Sequence, residues 1–151
     1  MLHTKEIVTN AIKNASSVSV LFEEQETFEK VNEPLRDAIV KAVVDNSCDF
    51  HLSQLDKAVE YELKVLALDF PLEEGESAYT AEDTHTLDWV ANTMITDAFS
   101  IYIDTCEFVN DTNAINLDAV AARAVSIMFG SNGKLNKSII EDKTRLEKEG
   151  K

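Results

Sequence analysis

Residues 80–108, TAEDTHTLDWVANTMITDAFSIYIDTCEF, decide the fold. At about 100° per residue, Leu87, Val90, Ala91, Met94, Ala98 and Ile101 line one side of a helix. A second stripe holds Asp88, Asn92, Ile95 and Phe99, and a third, polar stripe holds Thr86, Thr93, Asp97, Ser100 and Asp104. A helix with two apolar sides belongs near the middle of a bundle, with Asp97, Ser100 and Asp104 of its polar stripe turned to solvent. Thr80 is placed to cap it, and Glu82 and Asp83 in its first turn complement the helix dipole.

Working outward, the same helical spacing recurs. Thr4 caps a short helix to about Ala15 that carries Ile7, Val8, Ala11 and Ile12, and Ser16-Ser17 breaks it. Residues 18–22 have strand propensity, but 23–30 is a polar helix-former run, so the stretch reads as helix with Phe22 and Phe28 as anchors. Asn32 then reads as an N-cap and Pro34 as a first-turn proline of a helix bearing Leu35, Ala38, Ile39, Ala42 and Val43, ending near Asn46. Ser53 with Asp56 resembles a capping box opening a helix to about Phe70, where Pro71 stops it. Residues 72–79, LEEGESAY, form an acidic loop. Asn110-Asp111 turns the chain, and Asn116 caps a helix through Phe129 that Gly130 ends. From Lys134 the thin stripe of Leu135, Ile139, Ile140 and Leu146 marks a charged tail that is either a docked helix or a frayed end. With four Gly and two Pro in 151 residues, turns are too scarce for a sandwich or barrel. The expectation is an all-α fold, a single-domain bundle of five or six helices over 1–151.

The composition, 44% hydrophobic and 28% charged, is that of a packed globular chain. No apolar run reaches the length of a membrane span, and MLHTKEIVTN has no secretory pattern, so a soluble cytoplasmic protein without membrane contact is expected. Cys48 and Cys106 lack CxxC spacing or a neighbouring His and read as reduced core thiols. The net charge of −14 is unevenly spread: residues 1–45 carry −3, 46–111 carry −13 and 112–151 carry +2. A field of that sign repels phosphate backbones, which argues against direct nucleic-acid binding. It suits a basic protein surface or a divalent cation, beside the plainer reading of a solvated, colloidally stable face.

Chemistry is confined to the central acids. On the helix over 53–70, Glu62 falls inside the arc of Leu55, Ala58, Val59, Val65 and Leu66, with Asp69 two turns on. An inward carboxylate is neutral, paired with a base, or holds a cation. The plain reading pairs Glu62 with a Lys or Arg at the bundle's edge. The alternative sets Glu62, Asp69 and Asp88 as ligands for Mg²⁺ or Mn²⁺, with Asn92 and Glu60 in support. His3, His51 and His85 have no partner at catalytic or metal-ligand spacing, and no GxSxG, GxxxxGKS/T or GxGxxG occurs.

VEYELKVLALD (59–69) and HTLDWVAN (85–92), with INLDAVAARAV and SNGKL behind them, resemble the all-α nucleoside triphosphate pyrophosphohydrolases of the MazG-like type. That resemblance implies Mg²⁺-dependent cleavage of a nucleoside triphosphate. Glu62 and Asp88 match positions of the motif; Tyr61, Val65, His85 and Asn92 stand where that family carries acids.

The leading expectation is a non-enzymatic binding module of the inhibitor, immunity-protein or nucleic-acid-mimic kind, without a cofactor. Its acids Glu73, Glu74, Glu76, Glu82, Asp83, Asp97 and Asp104 would meet a basic surface on a protein partner. The metal-dependent hydrolase is the second expectation. A structural component of a larger assembly, including a homo-oligomer, is the third.

Overall fold

Thr4 opens α1 (Lys5–Asn14) by accepting a hydrogen bond from the Ile7 N–H at 3.2 Å, as the sequence predicts. The computed structural model describes residues 3–16, 25–45 and 49–149, and these contain six α-helices and no strand. The readings for residues 18–24, for Asn46 and for the burial of Cys48 lie outside the described residues.

α2 (Gln25–Val40) runs straight through Asn32 and Pro34. The predicted helix start there is therefore corrected. Pro34 is exposed, so the missing N–H is lost on a solvent-facing side where water can serve the freed carbonyl. The Asn32 side chain accepts from Arg36 Nε at 2.9 Å instead of capping a helix. A single π-helical turn, Lys41–Asp45, closes α2. Its Val43 carbonyl accepts from His51 Nδ1 at 3.2 Å, which puts the proton on that nitrogen, and the His51 ring lies 4.4 Å from that of Phe129.

α3 (Phe50–Asp69) starts three residues before Ser53, and the expected capping box does not form. Asp56 is recruited elsewhere: one of its oxygens accepts from the His3 backbone N–H and faces His3 Nδ1, both at 2.8 Å. The cap at Thr80 does form, with the Asp83 carboxylate accepting from the Thr80 N–H at 2.7 Å. It opens only the 3₁₀ turn Ala81–Asp83, however, and α4 (Thr86–Cys106) begins after an extended Thr84 whose hydroxyl donates to the Ala81 carbonyl. Asn116 caps α5 (Leu117–Met128) by accepting from the Ala119 N–H at 3.2 Å. Gly130, at φ 94°, turns the chain as only glycine does readily. The turn is completed at Gly133, where a Cβ would come within 2.4 Å of the Met128 carbonyl oxygen. α6 (Lys134–Glu149) follows, so the tail is a docked helix with Leu135 and Ile139 buried.

One hydrophobic core draws on all six helices, from Val8 and Ile12 through Leu35, Leu55 and Met128 to Leu135. α4 packs against α1, α2, α3 and α5, and the apolar residues in the middle of both stripes are inside: Met94, Ile95, Ala98 and Phe99 are sealed, Phe99 meets Phe28 at 5.7 Å between ring centroids, and only the Asp88 end of the second stripe reaches the surface. α6 lies mainly along α3. Cys106, a free thiol, is half-buried against the core.

A buried cation fixes α1. Arg36 is only 6% exposed, and burial lowers the affinity of its guanidinium for its proton. It donates through Nη1 to the carbonyls of Ile12, Lys13 and Ala15 at 2.9, 3.3 and 3.0 Å, and through Nη2 to Ser16 at 3.4 Å. The last carbonyls of a helix lack intrahelical partners and carry its negative dipole end, so a cation there does the work of a C-cap. Replacing Arg36 with Met leaves those carbonyls buried and unpaired, and urea unfolding is expected to show a loss of roughly 2–3 kcal/mol. Arg36→Lys, which lacks the fork, restores only part of it. Equal stability of all three proteins contradicts the capping role.

Candidate partner-binding surface

Of the three proposed metal ligands, Glu62 and Asp69 are engaged by other residues and Asp88 is exposed apart from them. Glu62, half-buried on α3, accepts from the His85 N–H at 3.2 Å and from the Thr86 hydroxyl. His85 provides no side-chain cap for α4, so a carboxylate from the neighbouring helix meets the positive end of its dipole. Thr86, which the sequence placed on the polar stripe of α4, is buried beside this bond. Asp69, two turns on, is held by a two-pronged bond from Arg145 of α6, with Nη1 at 2.9 Å from Oδ2. Asp88 is exposed in the first turn of α4. Asn92 ties helix ends together, donating to the Asp88 carbonyl at 2.8 Å and accepting from the Ser16 N–H at 2.9 Å. Glu60 is exposed on α3. Among the described residues no three His, Cys, Asp or Glu side chains gather in a way that could hold a metal ion.

The acids expected to meet a partner divide. Glu73, Glu74, Glu76, Glu82 and Asp83 are all exposed, within one short segment between α3 and α4. That segment is held by its own bonds: the Glu76 carboxylate accepts from the Glu73 N–H at 2.7 Å, Gly75 turns at φ 90°, and the Tyr79 hydroxyl donates to the Phe70 carbonyl at 2.6 Å. The ion pairs among the described residues use Asp37, Asp56, Asp69, Asp97, Asp118 and Glu149, and none of these five acids. Phe70, 65% exposed, and Leu72 stand at the start of the same segment. Asp97 is different: its carboxylate is 25% exposed and pairs with Lys134 at 2.7 Å. The stripe of Asp97, Ser100 and Asp104, read as solvent-facing, is thus partly covered by α6. Asp104 is exposed towards the far end of α4, beside the exposed Glu107 and Phe108. At 1.5 Å per residue it stands about 25 Å along the axis from the first turn.

Asp142 was missed by the sequence reading. On α6 it falls within the stripe of Leu135, Ile139 and Leu146, the same signal that singled out Glu62. The docking of α6 on α3 half-buries it near Glu62. Burial first, then the Glu62 and Glu141 carboxylates, push the Asp142 carboxyl above its ordinary 3.8, against the pull of Arg145. The region therefore pairs one satisfied carboxylate with one that its surroundings disfavour as an anion.

Comparison with protein-family models, with curated proteins and with solved structures finds no match to this chain.

Because folded Asp142 holds its proton to higher pH than the unfolded chain does, stability falls as the pH rises from 3.8 through the folded value. Asp142→Asn removes that decline and is expected to melt at a higher temperature than the wild type at neutral pH. A lower melting temperature at pH 7, or an unchanged acid-side profile, means the Asp142 anion carries no cost.

Proposed function

We propose that this chain is a non-enzymatic binding module whose acidic segment between α3 and α4 engages a basic surface on a protein partner. The observation that supports the reading is the group Glu73, Glu74, Glu76, Glu82 and Asp83, exposed and unused by any ion pair among the described residues, next to exposed Phe70 and Leu72. Charges of one sign gathered at a surface steer an oppositely charged partner and raise its association rate. An aromatic anchor beside them slows dissociation, since interface energy is concentrated in a few large apolar contacts. The segment's internal hydrogen bonds reduce the ordering cost of binding. Three other acids of the two central helices have structural work: half-buried Glu62 caps α4, and Asp69 and Asp97, nearer the surface, hold α6.

The test is an affinity capture from an extract of the source cells, with three forms of the protein as bait. The triple variant Glu73→Lys, Glu74→Lys, Glu76→Lys is expected to lose the wild type's partner by at least about tenfold, and capture by the wild type is expected to fade between roughly 0.05 and 0.5 M salt. A control of equal charge, Glu26→Lys, Glu33→Lys, Glu147→Lys, is expected to retain it. Capture that ignores both salt and the triple variant overturns the proposal.

A further inference from the structure

The N-terminal end of α4 and the outer face of α1 enclose a hollow of about 740 Å³. Its apolar lining comes from Ile7, Ala81 and Leu87, with Glu82 and Asp88 at the rim. His3 also lines it, but the ring is engaged by the buried Asp56 carboxylate. A second hollow of about 490 Å³ shares Ile7 and Asp88 and continues along α1 to Asn14 and Asn92. The two lie side by side along α1 and share Ile7 and Asp88, so they form a shallow trough whose apolar part is the first hollow; the second carries the polar Asn10, Asn14, Ser16 and Asn92.

Three features say what would fill it. Ile7, the one α1 apolar residue from the sequence stripe that points outward, is 43% exposed, so apolar surface is left open here. No Lys or Arg lines either hollow, while Glu82 and Asp88 do. The trough also adjoins the exposed acids of the segment that leads into it through Thr80. An apolar patch of Ile7, Ala81 and Leu87 beside the two acids Glu82 and Asp88, with no Lys or Arg in the lining, is complementary to a helix that carries leucine-like side chains at i, i+3, i+4 and i+7, flanked by Lys or Arg. A bare polycation would leave the floor wet, and an uncharged apolar helix would leave the rim unpaired.

We propose that the trough between α1 and the start of α4 is the docking site for a basic amphipathic helical segment of a protein partner. This deepens the acidic-module reading and rests on it. The partner's apolar side chains lie on Ile7, Ala81 and Leu87, and its cations meet Glu82 and Asp88.

The test uses the intact chain, labelled with ¹⁵N, and three synthetic peptides. One is an 18-residue Leu/Lys peptide with a helical apolar face, one has the same composition in an order that makes no face, and one is oligolysine of equal charge. The proposal predicts saturable shifts of the Ile7, Ala81, Leu87 and Asp88 amides with the first peptide alone. It further predicts roughly tenfold weaker binding by Ile7→Ser, whose exposed position leaves the fold intact by circular dichroism. Glu82→Gln with Asp88→Asn is expected to weaken binding and flatten its salt dependence. If all three peptides bind alike and shift only residues 73–76, the trough is not the site, although the acidic module stands. If no basic peptide binds in a salt-sensitive way, both fall. Concentration-dependent shifts of the trough amides in the free protein assign the trough to a second copy and overturn the proposal.

Discussion

The first and last peptide groups of a helix have no partner within it, and at the end of α1, just past α5 and at the start of α4 a side chain from another helix supplies what is missing. Arg36 of α2 holds the carbonyl end of α1. α3 supplies the rest: Gln54 exchanges two hydrogen bonds with the Gly130 backbone just past α5, Asp56 fastens the chain at His3, and Glu62 caps α4. Each of these bonds joins residues at least 20 positions apart, so each exists only once the bundle is assembled. The polar groups are satisfied: among the described residues no buried side-chain nitrogen or oxygen lacks a partner. Unsatisfied, the same groups would cost about as much as several core methyls, so the caps and the apolar core select the same arrangement.

Local chemistry was the legible part. Thr4 and Asn116 cap the helices they precede, Gly130 ends α5, and Pro71 follows the end of α3, because each acts within three or four residues of itself. The two apolar stripes of α4 correctly placed it at the centre. What failed were local signals outbid by others. Asn32 is claimed by Arg36 one turn along the same helix, and Asp56 by His3, 53 residues away. Thr84, extended after its 3₁₀ turn, interrupts a helix that the Thr80 cap seemed to open.

The site residues show the same division. That Glu62 points inward follows from its own helix, whereas its partner depends on how α3 and α4 are rotated against each other, which spacing on two separate helices does not encode. The partner proved to be the start of α4. Asp69 and Asp97 are answered by bases from α6, the helix that carries the chain's positive excess. The acidity of the middle region thereby divides into acids that hold the fold and exposed acids, of which five gather between α3 and α4 while Glu60, Asp88, Asp104 and Glu107 stand apart from them. That sorting is the physical reason for placing binding at the surface.

The most direct measurement of cross-helix capping is native-state hydrogen exchange at the His85 amide in the wild type and in Glu62→Ala. The account predicts that protection at His85 falls by at least about tenfold in the variant, while amides in the middle of α5 keep theirs, since the lost bond is local to the start of α4. Unchanged protection at His85, with Glu62→Ala otherwise folded, would contradict it.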